Sequence, residues 1–160
     1  MATMPRSHRH TPTPGQGGFS LVEVMIVIAL IGTLVAIAVP NYIAYREKAK
    51  IAQAISDIRN IEKVIANFLV DHDRLPMSLA EIGLGDRLDP WGTPYRYVRV
   101  EGTSPGALRK DRFLVPVNSD YDLYSMGRDR ASVPPFTAKA SQDDIVRAND
   151  GGYVGLASEF

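Results

Sequence analysis

The sequence predicts an α+β protein. One long N-terminal helix, its first half apolar enough to lie in a membrane, packs through its second half on a small antiparallel sheet, and an irregular C-terminal loop completes the chain. Three observations carry this expectation. From Phe19 to Val39 run 21 residues, of which only Glu23 is charged. From Asn41 to Val70 there is neither glycine nor proline, and apolar residues recur at helical spacing. After Pro76 the chain turns to short β-prone runs between clusters of turn formers.

Residues 1–18 hold Arg6, His8, Arg9 and His10 among prolines and glycines, and read as a disordered, mildly basic leader starting at Met1 or Met4. The positive-inside tendency keeps this leader in the cytoplasm and sends everything after Val39 outside. The apolar run after it spans a bilayer core of about 30 Å at about 1.5 Å per residue. A carboxylate five residues into such a helix costs roughly 2.5–3.5 kcal/mol, less near an interface. It is retained where it has a partner, which makes Glu23 a candidate functional residue. A secretory signal has a shorter apolar core with small residues at the cut behind it. Here Gly17 and Gly18 precede the core, so a cut there removes the polar leader and keeps the helix.

The helix is predicted to continue to about Asp71, some 80 Å in all. Ala44, Ile51, Ile55, Ile58, Ile61, Ile65, Phe68 and Leu69 form one stripe. The charges between them, with Glu47–Lys50 and Arg59–Glu62 as pairs three apart, read as a solvated face. Gly32 and Pro40 both weaken a helix, and bracket a stretch that either extends when copies pack or merely kinks at the membrane boundary. The chain thus divides into a leader (1–18), a transmembrane and assembly helix (19–40), an amphipathic extension (41–72) and a globular head (73–160).

Within the head, Pro76 ends the helix, and Ser78 to Ile82 reads as a short helical turn with Ser78 as cap and Glu81 three residues on. Asp89-Pro90-Trp91-Gly92 is a turn, with Trp91 a buried anchor. Tyr95–Glu101, Arg112–Val117 (an edge, because of Pro116) and Tyr121–Met126 read as strands. Beyond Gly127 the sequence is irregular, with a turn at Asn149-Asp150-Gly151-Gly152.

Composition narrows the function. There are 18 basic and 18 acidic residues and no net charge, which gives nucleic acid no basic surface to bind. No cysteine is present to staple the head. Past the leader, His72 is the only histidine, and no phosphate-cradling glycine loop occurs, so catalysis has no candidate machinery.

Gly18-Phe19-Ser20-Leu21-Val22-Glu23 before an apolar helix resembles the class III signal of type IV pilins and type II secretion pseudopilins. The resemblance implies a type IV pilin-like fold, cleavage between Gly18 and Phe19 and N-methylation of Phe19, both by prepilin peptidase. It also implies pairing of Glu23 with the Phe19 amine of a neighbouring subunit, and melting of the stretch before Pro40 in the fibre. Asp89-Pro90-Trp91-Gly92-x-Pro94-Tyr95-x-Tyr97 and Asp122-Leu123-Tyr124-Ser125-Met126-Gly127 are similar to the major (G-type) pseudopilin of type II secretion. That likeness implies a structural subunit, not an enzyme. It would be single-pass in a bacterial inner membrane with its head in the periplasm, and would polymerise with itself to drive protein export. Its further partners would be minor pseudopilins and the inner-membrane assembly platform. The likeness also implies one calcium ion in the loop after the last strand, at Asp129, Asp143 and Asp144; Arg128 and Arg130 offer a neutralising charge instead. Two alternatives stand beside this reading: a type IV pilus subunit, and a monomeric membrane-tethered periplasmic binding domain.

Overall fold

A computed structural model describes residues 18–160. Apart from Gly18, the expected leader lies outside the described residues. Helix α1 covers Leu21–His72 and continues through both Gly32 and Pro40. The chain divides after Tyr42 into two compact units.

In the first unit the helix is apolar on every side and its side chains are bare; Leu21, Leu34 and Ile37 are each about two-thirds exposed or more. No described residue of the unit removes that surface from water, so a lipid or another protein has to.

The second unit, Ile43–Phe160, is built on the rest of α1. Ala54, Ile58, Ile61 and Ile65 are buried along one stripe and pack with Leu79, Trp91, Tyr95, Tyr121, Leu123 and Ile145. Ile51 and Ile55 flank the stripe, half-buried. The sheet has four strands, β1 (Arg96–Arg99), β2 (Tyr121–Ser125), β3 (Ile145–Ala148) and β4 (Tyr153–Leu156), in chain order and antiparallel throughout. Its residues alternate between two covered faces: Tyr121, Leu123 and Ile145 meet the helix, while Tyr124, Val146 and Ala148 meet a second cluster around Val117, Phe136 and Ala157.

Polar contacts fix how the head lies on its helix. Tyr95 donates its hydroxyl to Asp57 Oδ2 at 3.1 Å, and Arg87 Nη2 reaches Asp57 Oδ1 at 2.5 Å. Burial, reinforced by the charge of Asp57, pushes the Tyr95 phenol well above its ordinary value. Arg147 on β3 joins Glu62 of α1 (2.7 Å) to Asp120 (two bonds of 2.7 Å) and lies 4.0 Å from the Tyr121 ring centroid. Arg59 keeps its expected pairing with Glu62 at 3.1 Å and also donates to the Gly151 carbonyl.

Several expectations are corrected. The charges of α1 are not all solvated: Asp57 is buried and Glu62 partly so, because head residues supply them with cations. Glu47 accepts from Trp91 Nε1 at 2.9 Å, and Lys50 lies over the Trp91 ring. Arg112–Val117 is no strand but a tight turn with one bridge, Lys110 to Pro116. Asp111 Oδ1 accepts from the backbone N–H groups of Phe113 and Val115, which rolls the chain over. The stretch beyond Gly127 is not irregular throughout, since β3 and β4 form a hairpin across residues 149–152. Ser78 precedes a 3₁₀ turn at Leu79–Ile82 without capping it; Glu81 instead accepts from the Met77 N–H and pairs with Arg74.

Gly127 leaves β2 with φ +62°, and a Cβ there would stand 2.2 Å from the Asp143 carbonyl oxygen. Gly102 has φ +80° but open space around it. Gly102→Ala should therefore cost only the left-handed backbone penalty, roughly 1–2 kcal/mol. Gly127→Ala should lose clearly more, because the 143 backbone must also move. Urea unfolding of the two variants measures the difference.

Candidate processing and assembly site

The N-terminal site is built from four residues. Gly18, Phe19 and Ser20 precede the helix and are exposed, and α1 begins at Leu21. The Ser20 N–H donates to Glu23 Oε2 at 2.8 Å, and the Glu23 N–H donates to Ser20 Oγ at 3.2 Å. This reciprocal pair is a capping box, and it satisfies two of the backbone donors that a helix start leaves open. Ser-x-x-Glu before an apolar run is its signature in the sequence, although the family resemblance points only to an intermolecular role for Glu23. The capping box holds the carboxylate on the Ser20 N–H, one residue beyond Phe19 along the chain. The Gly18–Phe19 bond stands clear of any packing: Phe19 is 87% exposed. Gly32 and Pro40 are both in helix, and a Cβ at Gly32 would touch nothing.

The head brings two further motifs together. Asp89 Oδ1 accepts from the N–H groups of Trp91 (3.0 Å) and Thr93 (2.8 Å), closing the turn. Asp89 Oδ2 accepts from Ser125 Oγ at 2.6 Å, so the Asp-Pro-Trp-Gly turn is bonded to the end of β2. Trp91 is 7% exposed, as expected of an anchor, and Arg130 donates to its carbonyl at 2.7 Å.

The three aspartates of the expected calcium loop face different partners. Asp143 Oδ2 accepts from the Asp129 N–H, and Asp129 Oδ1 accepts from the Ala131 N–H. Asp144 is fully buried; its Oδ2 meets Arg109 Nη2 at 2.7 Å and Ser132 Oγ at 2.5 Å. Burial pushes the Asp144 carboxyl up to about 7, against the pull of Ser132 and Arg109. Among the described residues no group of three or more histidine, cysteine, aspartate or glutamate side chains is gathered in one place. Asp150 instead holds Ser119 through its backbone N–H and hydroxyl. His72 is exposed, stacked on Phe68 with Nδ1 at the Phe68 carbonyl.

Residues 13–39 match the family described as prokaryotic N-terminal methylation motif. Type II secretion system core protein G of Aeromonas hydrophila is 33% identical over 135 residues, covering 71% of this chain and 84% of the relative. The chain belongs to the type II secretion system core protein G family. The protein of that name from Escherichia coli K12 is 33% identical over 138 residues, covering 73% of this chain and 85% of the relative. The type IV major pilin protein PilE1 of Neisseria gonorrhoeae is 26% identical over 147 residues, covering 87% of this chain and 88% of the relative. No solved structure matches the chain.

Ser20→Ala leaves Glu23 in place but removes half of the cap. It should cost about 1 kcal/mol at the helix start, read as roughly fivefold faster amide exchange at Leu21 to Val24 in micelles.

Proposed function

We propose that this chain is a structural subunit of a type II secretion pseudopilus, cleaved after Gly18 and polymerised through its N-terminal helix to drive protein export. The observation that carries the reading is a bare apolar helix with a single carboxylate, held by its own cap one residue beyond an exposed Phe19. A bare apolar helix of this length gains its stability only when lipid or other copies cover it.

The chemistry runs in three steps. Prepilin peptidase removes residues 1–18 at the membrane face. This frees the Phe19 amine, which the same enzyme methylates. In the free subunit Glu23 stays occupied with the Ser20 N–H. When a second copy arrives, its Phe19 ammonium replaces that neutral donor with a full charge. Two unit charges 4 Å apart at an effective dielectric near 20 attract by about 4 kcal/mol, which offsets much of the cost of keeping both groups in the membrane. The apolar helices bundle at the fibre axis, with the heads outside in the periplasm. The segment between Gly32 and Pro40 is where the helix extends as copies pack. Minor pseudopilins and the inner-membrane platform complete the machine.

A type IV pilus subunit is the second reading, favoured by the likeness to the gonococcal pilin. The stronger identity to core protein G, 33% against 26%, favours secretion. Loss of enzyme export on deletion, with surface motility intact, separates the two.

Glu23→Ala should be cleaved and methylated normally but form no fibres, while Gly18→Val should stay uncleaved. Intact mass spectrometry of the membrane form and electron microscopy of overproduced fibres read both outcomes. Fibres of normal length and number from Glu23→Ala would defeat the pairing model.

A further inference from the structure

Arg109 is 3% exposed, and its charge lies against the end of the loop between β2 and β3. Its Nη2 donates to Asp144 Oδ2 at 2.7 Å and to Ser141 Oγ at 3.0 Å. Ser132, earlier in the loop, donates to the same Asp144 oxygen, and Ser141 Oγ bonds both the carbonyl and the N–H of Val133. The Arg109 backbone N–H donates to Asp122 Oδ2 on β2 at 2.7 Å. The guanidinium carbon stands 4.7 Å from the Tyr124 ring centroid and 5.4 Å from that of Phe136, so apolar surface closes the site on both sides. One positive group thus gathers a carboxylate and a hydroxyl of this loop.

That is the work a structural divalent ion does in a loop of this kind. The arrangement leaves poor provision for the ion itself. Asp129 and Asp143 direct oxygens at backbone N–H groups. Asp144 Oδ1 is buried and lacks a partner, but a metal bound to it would share a single dry carboxylate with a guanidinium. Like charges at that range repel strongly where water is excluded.

We propose that Arg109 is a built-in cation that holds the C-terminal loop in place of a metal ion, so that this head folds and serves without calcium. A fixed side chain cannot dissociate, so loop order here is independent of the ion content of the surroundings. The inference concerns the head alone and stands whether or not the chain assembles into a fibre.

Thermal unfolding of the full-length chain in detergent micelles tests it, with excess calcium and with a chelator. The wild type should melt at the same temperature in both. Arg109→Met should melt lower by at least on the order of 10 °C in both, because it strands the Asp144 carboxylate. Arg109→Lys, which keeps the charge but loses the forked geometry, should fall between and covers the case in which the methionine variant does not fold. Asp129→Asn and Asp143→Asn should leave the melting temperature insensitive to calcium. A rise in wild-type melting temperature on adding calcium would overturn the proposal, as would an Arg109→Met chain as stable as the wild type.

Discussion

The head is organised by the need to take Ile58, Ile61 and Ile65 out of water. These residues lie on one side of α1, and a twisted sheet supplies the matching surface through Leu123 and Ile145. Apolar contact has no direction, so by itself it would let the sheet slide or turn on the helix. Direction comes from the polar contacts flanking the stripe. Trp91 reaches Glu47, Tyr95 and Arg87 reach Asp57, and Arg147 reaches Glu62. Each is a partly or wholly buried pair, of little net worth against a greasy substitute but costly to break on one side. Together they define one docking geometry out of many that the isoleucines alone would accept.

The N-terminal part of the same helix faces the reverse problem. Its apolar side chains are exposed among the described residues, and its acid accepts from the backbone of a serine three residues before it. A bare surface and a charge with a neutral partner describe a component that is finished by association. The head is complete in itself; the first unit is not.

How much of this was readable in the sequence depended on whether a signal was local. The long helix, the Trp91 anchor, β1 and β2 were legible because length, periodicity and turn residues state them directly. β3 was not. Ile145 to Ala148 is buried on both faces, so it shows no alternation, and four residues are too few for composition to speak. β4 has Gly155 in its middle, which weakens any strand reading. The tip at Phe113-Leu114-Val115 misled in the opposite way: β-prone residues occupy a turn that Asp111 dictates from outside the run. Asp57 and Arg109 were invisible as core residues for a third reason. Their burial depends on partners 30 and 35 positions away, Arg87 and Asp144, which no periodicity encodes. At the N-terminal motif the sequence names Ser20 and Glu23, and the structure shows the two joined as a reciprocal cap.

Trp91 carries one more consequence. It is the sole indole in the chain, it is nearly sealed from solvent, and its ring nitrogen, amide and carbonyl touch the helix, the turn and the β2–β3 loop respectively. Its emission colour is therefore an intrinsic gauge of whether those three parts are joined. Peeling of the head from its helix would redden that light without any dye attached, in a micelle, a vesicle or an isolated filament alike.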